Sequence, residues 1–245
     1  MSNENINPEL LHEFIQNSVN MFPDKIAIVH NDKHLSYRAL DQLSDRLHIH
    51  LSKLGVQPGT LITVSLECPI QYIICVIGVM KSGAVYVPLD LNQPKARLTS
   101  ILNDCAAPIL ILDAKNENKL PIDEGLCILL DQEWDKVFSC KAVYAKPTKA
   151  NIASMNLAYI IYTSGTTGKP KGVMITHQGV ANIITFQSKY FSVGFDTRSL
   201  QFAALTFDAS ISEIFVAFAK SSTLFIPSKS LRSEPLDLLR YIANN

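Results

Sequence analysis

No run of lysine or arginine appears anywhere in the 245 residues, and the 22 basic side chains are matched by 22 acidic ones. A chain with no formal net charge gives nucleic acid or an anionic bilayer no electrostatic handle, so neither is an expected partner. Long apolar runs are missing too. The longest, Tyr72 to Met80, falls far short of the ~20 residues needed to span a bilayer. The opening MSNENINPELLHEF lacks the basic start and apolar block of a secretory signal. The five cysteines (Cys68, Cys75, Cys105, Cys127 and Cys140) are odd in number and include no C-x-x-C pair. They read as reduced, buried thiols of a cytoplasmic protein, not as a disulfide framework. No His, Cys and carboxylate residues recur at metal-ligand spacing. His48 and His50, two apart on a helical stretch, face different directions. Internal repeats and low-complexity tracts are also absent.

What is present is the composition of a globular chain: 47% hydrophobic and 18% charged residues, over a length that can bury a sizeable core. Helical and extended patterns alternate along it. Leu10/Leu11, Phe14/Ile15 and Ser18/Val19 recur at helical spacing, and Ile26 to Val29 reads as a strand with a turn at Asn31 to Lys33. Leu40, Leu43, Leu47, Leu51 and Leu54 form a helical stripe, with Ser36 as its N-cap and Gly55 as its stop. The spacing then predicts a strand over 61–66, a helix over 69–81, a strand over 84–87, a helix over 95–104 and a strand over 108–112. After a weaker stretch with a short strand at 127–130, strands are expected at 157–162, 173–175, 199–203 and 223–226. Helices are expected at 178–190, 211–219 and from Pro235 onward. Such alternation implies an α/β fold, with a parallel sheet flanked by helices.

The strand at 157–162 runs directly into YTSGTTGKPKG, Tyr162 to Gly172, which crowds glycines, hydroxyl side chains, two lysines and a proline together. Glycines after a strand allow backbone N–H groups to line a concavity that accepts phosphate. Thr163, Ser164, Thr166 and Thr167 add hydroxyl donors, and Lys169 and Lys171 add positive charge. The segment is not a Walker A loop. The position that pattern requires as glycine is Thr163, and Lys169 is followed by Pro170 instead of Ser or Thr. Nor does it fit G-x-G-x-x-G. From the residues alone it reads either as a phosphate cradle or as a flexible connector.

LAYIIYTSGTTGKPKG, Leu157 to Gly172, resembles the phosphate-binding signature of the adenylate-forming (AMP-binding) superfamily, specifically the adenylation domains of non-ribosomal peptide synthetases. Three companions follow the family's order. LSYRAL (Leu35 to Leu40) resembles its first core motif, MKSGAVYVPLD (Met80 to Asp90) its second, and LTFDAS (Leu205 to Ser210) its fourth. The resemblance runs from about Leu10 to the end. It implies the N-terminal large domain of the acyl-CoA synthetase/luciferase-like fold, with parallel or mixed sheets flanked by helices.

The resemblance implies a chemistry as well. Family members join ATP to a carboxylate, release pyrophosphate, and pass the acyl group to a thiol, so the expected ligands are ATP, Mg2+ and an amino acid. A peptidyl carrier protein is the expected acceptor. By the same resemblance Thr163, Ser164, Gly165, Thr166, Thr167, Gly168 and Lys171 would hold the β- and γ-phosphates, while Lys169 is as well explained as a solvated loop charge. Asp208 would receive the α-ammonium of the amino acid in a mainly apolar pocket, where a carboxylate favours a cationic partner. Its alternative is a helix cap, the role also expected for Ser210. Ala209 and Ser212 match pocket-lining positions. His177 matches a common family histidine but reads equally as a packing residue. Tyr86, Pro88 and Asp90 read as structural.

The sequence departs from the family in one large respect. Neither YGPTE nor TGD occurs in it, and it carries no counterpart of the family's catalytic lysine motif. The expectation is therefore that 1–245 is an incomplete N-terminal part of an adenylation domain, without the small C-terminal domain and deficient in turnover. The rival expectation is a non-catalytic protein that keeps the fold for nucleotide binding or assembly.

Overall fold

The computed structural model describes residues 8–120, 125–138, 147–148, 150–164 and 169–244. Among them, helix α1 (Leu11–Met21) leads into a hairpin of β1 (Ile26–His30) and β2 (Lys33–Ser36). Helix α2 (Tyr37–Lys53) follows without a break, because the Ser36 hydroxyl accepts the Ala39 N–H at 3.2 Å and caps it. Gly55, at φ +81°, supplies the left-handed residue that ends it.

The chain then alternates through β3 (Leu61–Ser65), α3 (Pro69–Lys81), β4 (Val85–Pro88), α4 (Lys95–Cys105), β5 (Ile109–Leu112) and β6 (Leu126–Leu129). After α5 (Leu130–Phe138) come β7 (Leu157–Ser164), β8 (Pro170–Thr176), α6 (His177–Tyr190), β9 (Arg198–Leu200), α7 (Asp208–Phe218) and β10 (Thr223–Phe225). Two helices, α8 (Lys229–Ser233) and α9 (Pro235–Asn244), complete the described chain. The elements form two sheets, one ordered β2-β1-β10-β9 and one ordered β6-β5-β3-β4-β7-β8.

The expected parallel sheet is present from β6 through β7, but both sheets are mixed. β2 pairs antiparallel with β1, and β8 pairs antiparallel with β7. The physical reason is loop length. A parallel neighbour needs a long crossover, whereas the turn at Asn31 and Asp32 and the short link between Ser164 and Pro170 fold each strand back on the one before. The described residues of the signature segment are thus ends of two antiparallel strands, in register Thr163 with Lys171 and Ser164 with Pro170. Gly172 is required within it by close approach, since a Cβ there would lie 2.9 Å from Ile160 Cγ2 and 3.2 Å from the Tyr162 ring. Sequence periodicity also overlooked α5 and α8, and α7 begins at Asp208, three residues before the helix expected from Ile211.

Helix α3 is the hub of the core. Every residue from Tyr72 to Lys81 is buried, as are Leu40, Leu47 and Leu51 of α2 beside it. Burial of each aliphatic side chain contributes about 1.5–3 kcal/mol. At the end of α3 the Lys81 ammonium lies 2.6 Å from both Asp41 Oδ1 and Asp45 Oδ1, all three residues being buried. The lysine of the second motif therefore bridges two α2 carboxylates with its one ammonium. In contrast, α9 is amphipathic yet has no buried residue, and Leu236, Leu239 and Ile242 are exposed.

Cys68, Cys75, Cys105 and Cys127 are free thiols, two of them buried, and Cys140 lies outside the described residues. No helix among the described residues is long and apolar enough to cross a membrane.

Candidate functional site

In open α/β sheets, ligands collect beyond the carboxyl ends of parallel strands, where the chain leaves the sheet and side chains are not consumed by packing. β4 and β7 are parallel neighbours, paired through Tyr86 and Tyr159. Their carboxyl ends, Pro88–Asp90 and Ile161–Ser164, form two walls of a cleft of about 380 Å3. Gln93, Arg97 and Ile101 of α4 and its approach form the third wall, and Thr206, Phe207 and Asp208 the fourth. Two motifs far apart in sequence, TSGTTGKPKG and FDAS, therefore meet in one cavity.

The phosphate-side residues fall as follows. Thr163 and Ser164 line the cleft and are exposed, so their hydroxyls face a ligand or solvent. Lys171, directly opposite Thr163 on β8, is also exposed, as is Lys169. Gly165, Thr166, Thr167 and Gly168 lie outside the described residues. Tyr162 ties this wall to α4, donating its phenol hydrogen to Asp104 Oδ2 at 2.6 Å. Burial and that carboxylate both push the phenol's pKa upward, which keeps it protonated as a donor.

Asp208 opens α7, and its Oδ1 accepts the Ala209 N–H at 2.8 Å. Asp208 is exposed, at the first position of α7, and lines the cleft instead of being enclosed in a mainly apolar pocket. Apolar contact comes from Leu89, Ile101, Ile161 and Phe207 around the same cavity. Tyr159 senses the carboxylate: burial first, and the Asp208 charge second, raise its pKa to about 12. Ala209 and Ser212 sit on the same helix but do not line this cleft, Ala209 being exposed and Ser212 half-buried.

Ser210 is not the cap of α7, since the residue preceding the helix is Phe207 and no side chain caps it. The Ser210 hydroxyl is buried and turned inward, donating to Phe207 O at 2.6 Å and approaching Leu205 O at 3.2 Å. Leu205 O also accepts from the phenols of Tyr72 and Tyr86, each at 3.2 Å, and those two phenols contact each other. Three hydroxyls thus converge on the carbonyl just before FDAS and fix the turn that presents Asp208. The structural expectation for Tyr86 holds, and its purpose is specific.

His177 is wholly buried at the start of α6, away from the cleft. Its Nδ1 accepts the Leu11 N–H at 3.4 Å, its ring meets that of His12 edge-on, and burial lowers its pKa to about 4. It is a neutral packing residue that joins α6 to α1. Nothing in the residue pattern signals that Asp90, Gln93 and Arg97 line the site, because α4 shows only helical periodicity. The carboxyl-end rule applied to β4 would have found Asp90.

Comparison with known proteins gives the family and the fold. A family model described as AMP-binding enzyme matches residues 15–245. Tyrocidine synthase 1 of Brevibacillus parabrevis is 35% identical over 240 residues, covering 96% of this chain and 21% of that protein. Malpinin synthetase of Mortierella alpina is 34% identical over 235 residues, covering 96% of this chain and 3% of that protein. The non-ribosomal peptide synthetase FmoA3, solved in an AMPPNP-bound form, superimposes with a TM-score of 0.82 at 30% identity, over 96% of this chain and 24% of that one. VinN, solved with 3-methylaspartate, shares the fold with a TM-score of 0.84 at 22% identity, over 91% of this chain and 63% of that one. The chain thus spans a quarter or less of the length of the peptide synthetases compared.

Proposed function

Because the chain belongs to the AMP-binding enzyme family and is similar over nearly all its length to non-ribosomal peptide synthetase adenylation domains, we propose that its cleft holds the phosphate end of ATP and the ammonium of an amino acid. The observation that carries this reading is the meeting of Thr163 and Ser164 with Asp208 in one cavity.

The chemistry follows from the placement. Asp208 pairs with the α-ammonium and so orients the amino acid carboxylate toward the α-phosphate. A carboxylate oxygen attacks that phosphorus, the bond to the bridging oxygen breaks, and pyrophosphate departs with the electron pair. Holding the two reactants in line lowers the entropic part of the barrier. Hydroxyls of Thr163 and Ser164, the glycine-rich residues Gly165 to Gly168 with Thr166 and Thr167, and the Lys171 ammonium stabilise the charge that builds on the leaving group. Ala209 and Ser212, which stand on α7 outside the lining of the cleft, are proposed as contacts for the side chain of the amino acid beyond it. Among the described residues no group of three His, Cys, Asp or Glu side chains forms a metal centre. Magnesium would accompany the nucleotide and would add positive charge toward the leaving pyrophosphate, beside the donors Thr163, Ser164 and Lys171. The aminoacyl group would pass to the thiol of a peptidyl carrier protein.

The 245 residues on their own are proposed to bind ATP weakly and to turn over negligibly. What supports this is the open cleft, which presents donors for phosphate and ammonium but no recognisable counterpart of the family's YGPTE, TGD or lysine motifs. The test is amino-acid-dependent exchange of labelled pyrophosphate into ATP, run with each proteinogenic amino acid. Exchange at background level is expected, together with measurable ATP binding. Robust exchange would overturn the deficiency, and absence of any ATP binding would overturn the function.

A further inference from the structure

The cleft contains one cation that neither the phosphate loop nor the substrate aspartate accounts for. Arg97 lies in the first turn of α4, half-buried, and lines the same cavity as Thr163, Ser164 and Asp208. Its Nε donates to Gln93 Oε1 at 2.8 Å, one helical turn earlier. Among the described residues no carboxylate makes an ion pair with it. That is informative because two carboxylates line the same cavity. Asp90 Oδ1 accepts from the N–H and the amide of its neighbour Asn92, both at 3.0 Å, and Asp208 Oδ1 accepts from Ala209. Asp104 is held by Tyr162. Each nearby acid therefore has another partner, and the outer N–H groups of Arg97 remain available.

A guanidinium fixed through Nε keeps its two terminal amino groups in a planar fork that matches two oxygens of a phosphate. Pre-fixing by Gln93 reduces the side-chain entropy lost when a ligand is gripped. The charges of the cleft are also separated in a useful way, with Asp208 on the α7 wall and Arg97 on the α4 wall. A ligand with a cationic end and an anionic end fits that polarity.

We infer that Arg97 is a phosphate-binding residue of the cleft, gripping non-bridging oxygens of the nucleotide's phosphate chain from the α4 wall, with Gln93 as its positioning residue. The inference rests on the proposed nucleotide site and adds a contact to it from a helix outside the glycine-rich signature. Hydroxyl and ammonium donors of the hairpin then meet the phosphate chain from one side and the guanidinium from another.

Titration calorimetry with inorganic pyrophosphate tests this on the full chain. Arg97→Gln is expected to weaken binding by at least tenfold with an unchanged melting temperature, as loss of a charge-assisted contact requires. Gln93→Ala, which frees the guanidinium without removing it, is expected to weaken binding about two- to fivefold. Equal affinity of wild type and Arg97→Gln would overturn the role of Arg97 while leaving the nucleotide site standing. Failure of the wild type to bind pyrophosphate would overturn both. Should Arg97→Gln not fold, phenylglyoxal modification of the wild type, read by mass spectrometry, decides the matter. Pyrophosphate is expected to protect Arg97, and modification at an undiminished rate would refute the contact.

Discussion

The wall that presents Asp208 and the hairpin that presents Thr163 and Ser164 face each other across one cleft, yet they are built in opposite ways. Behind Asp208, the Leu205 carbonyl is held by Tyr72, Tyr86 and Ser210, and β4 is buried along its whole length against α3. The hairpin lies at the edge of its sheet, with Val173 and Met174 of β8 exposed and Lys169 and Lys171 in solvent. The difference separates two kinds of residue. Those under Asp208 set a geometry and are coupled to stability. Those on the hairpin present donors and can change at little cost to the fold. Under the proposed function an amino acid would be recognised through one fixed charge, whereas a phosphate chain accepts many donor arrangements, so rigidity would belong on the first wall.

Substitutions should expose this contrast, and the largest effect is expected in the buried core, at the C-terminal end of α3. Lys81→Met strands the buried Asp41 and Asp45 carboxylates, and a loss of about 3–5 kcal/mol is expected in denaturant unfolding. Acid should act next, through the anchor that joins α6 to α1. His177 has a folded pKa of about 4 against an ordinary 6.5, so the unfolded chain takes up a proton first as pH falls. The stability present above pH 6.5 is then lost between about 6.5 and 4. At 1.36 kcal/mol per unit this amounts to about 3 kcal/mol, measurable as a fall in melting temperature that His177→Gln should flatten.

Smaller effects distinguish the walls more finely. Tyr86→Phe removes one of three hydroxyls at Leu205 and leaves Tyr72 with one fewer partner. A cost of about 1 kcal/mol is expected in unfolding experiments. Lys171→Ala, on the exposed strand, should change stability by less than about 0.5 kcal/mol while lowering ATP affinity severalfold by calorimetry. A hairpin substitution that cost as much stability as Tyr86→Phe would erase the contrast.

The rigid wall was also the more legible one. Helix α3 could be bounded at Pro69 and Lys81 from its sequence because proline opens it and an unbroken apolar run marks a buried helix. The Ser36 cap and the Gly55 stop were legible for the same reason, as each is a local requirement of backbone geometry. Hairpin pairing was not, because periodicity carries no information about strand direction, which here follows from the short links between β1 and β2 and between β7 and β8. The site showed the same division. Thr163, Ser164 and Asp208 stand in motifs that name them, whereas Arg97 comes from a helix whose stripe records only packing. The burial of Lys81 was equally hidden, since its partners Asp41 and Asp45 lie on another helix. The helix start at Asp208 went unseen because Ser210 reads as the cap of a later helix, whereas no side chain caps α7 and the turn before it is held by the distant Tyr72 and Tyr86.

That the cleft grips phosphate through the hairpin is tested most directly by titrating ATP into the wild-type chain and into a Thr163→Ala/Ser164→Ala double variant. Saturable binding by the wild type, weakened about tenfold or more in the variant with an unchanged melt, is the predicted result. Equal affinity in the two proteins, or no saturable binding by the wild type, would contradict it.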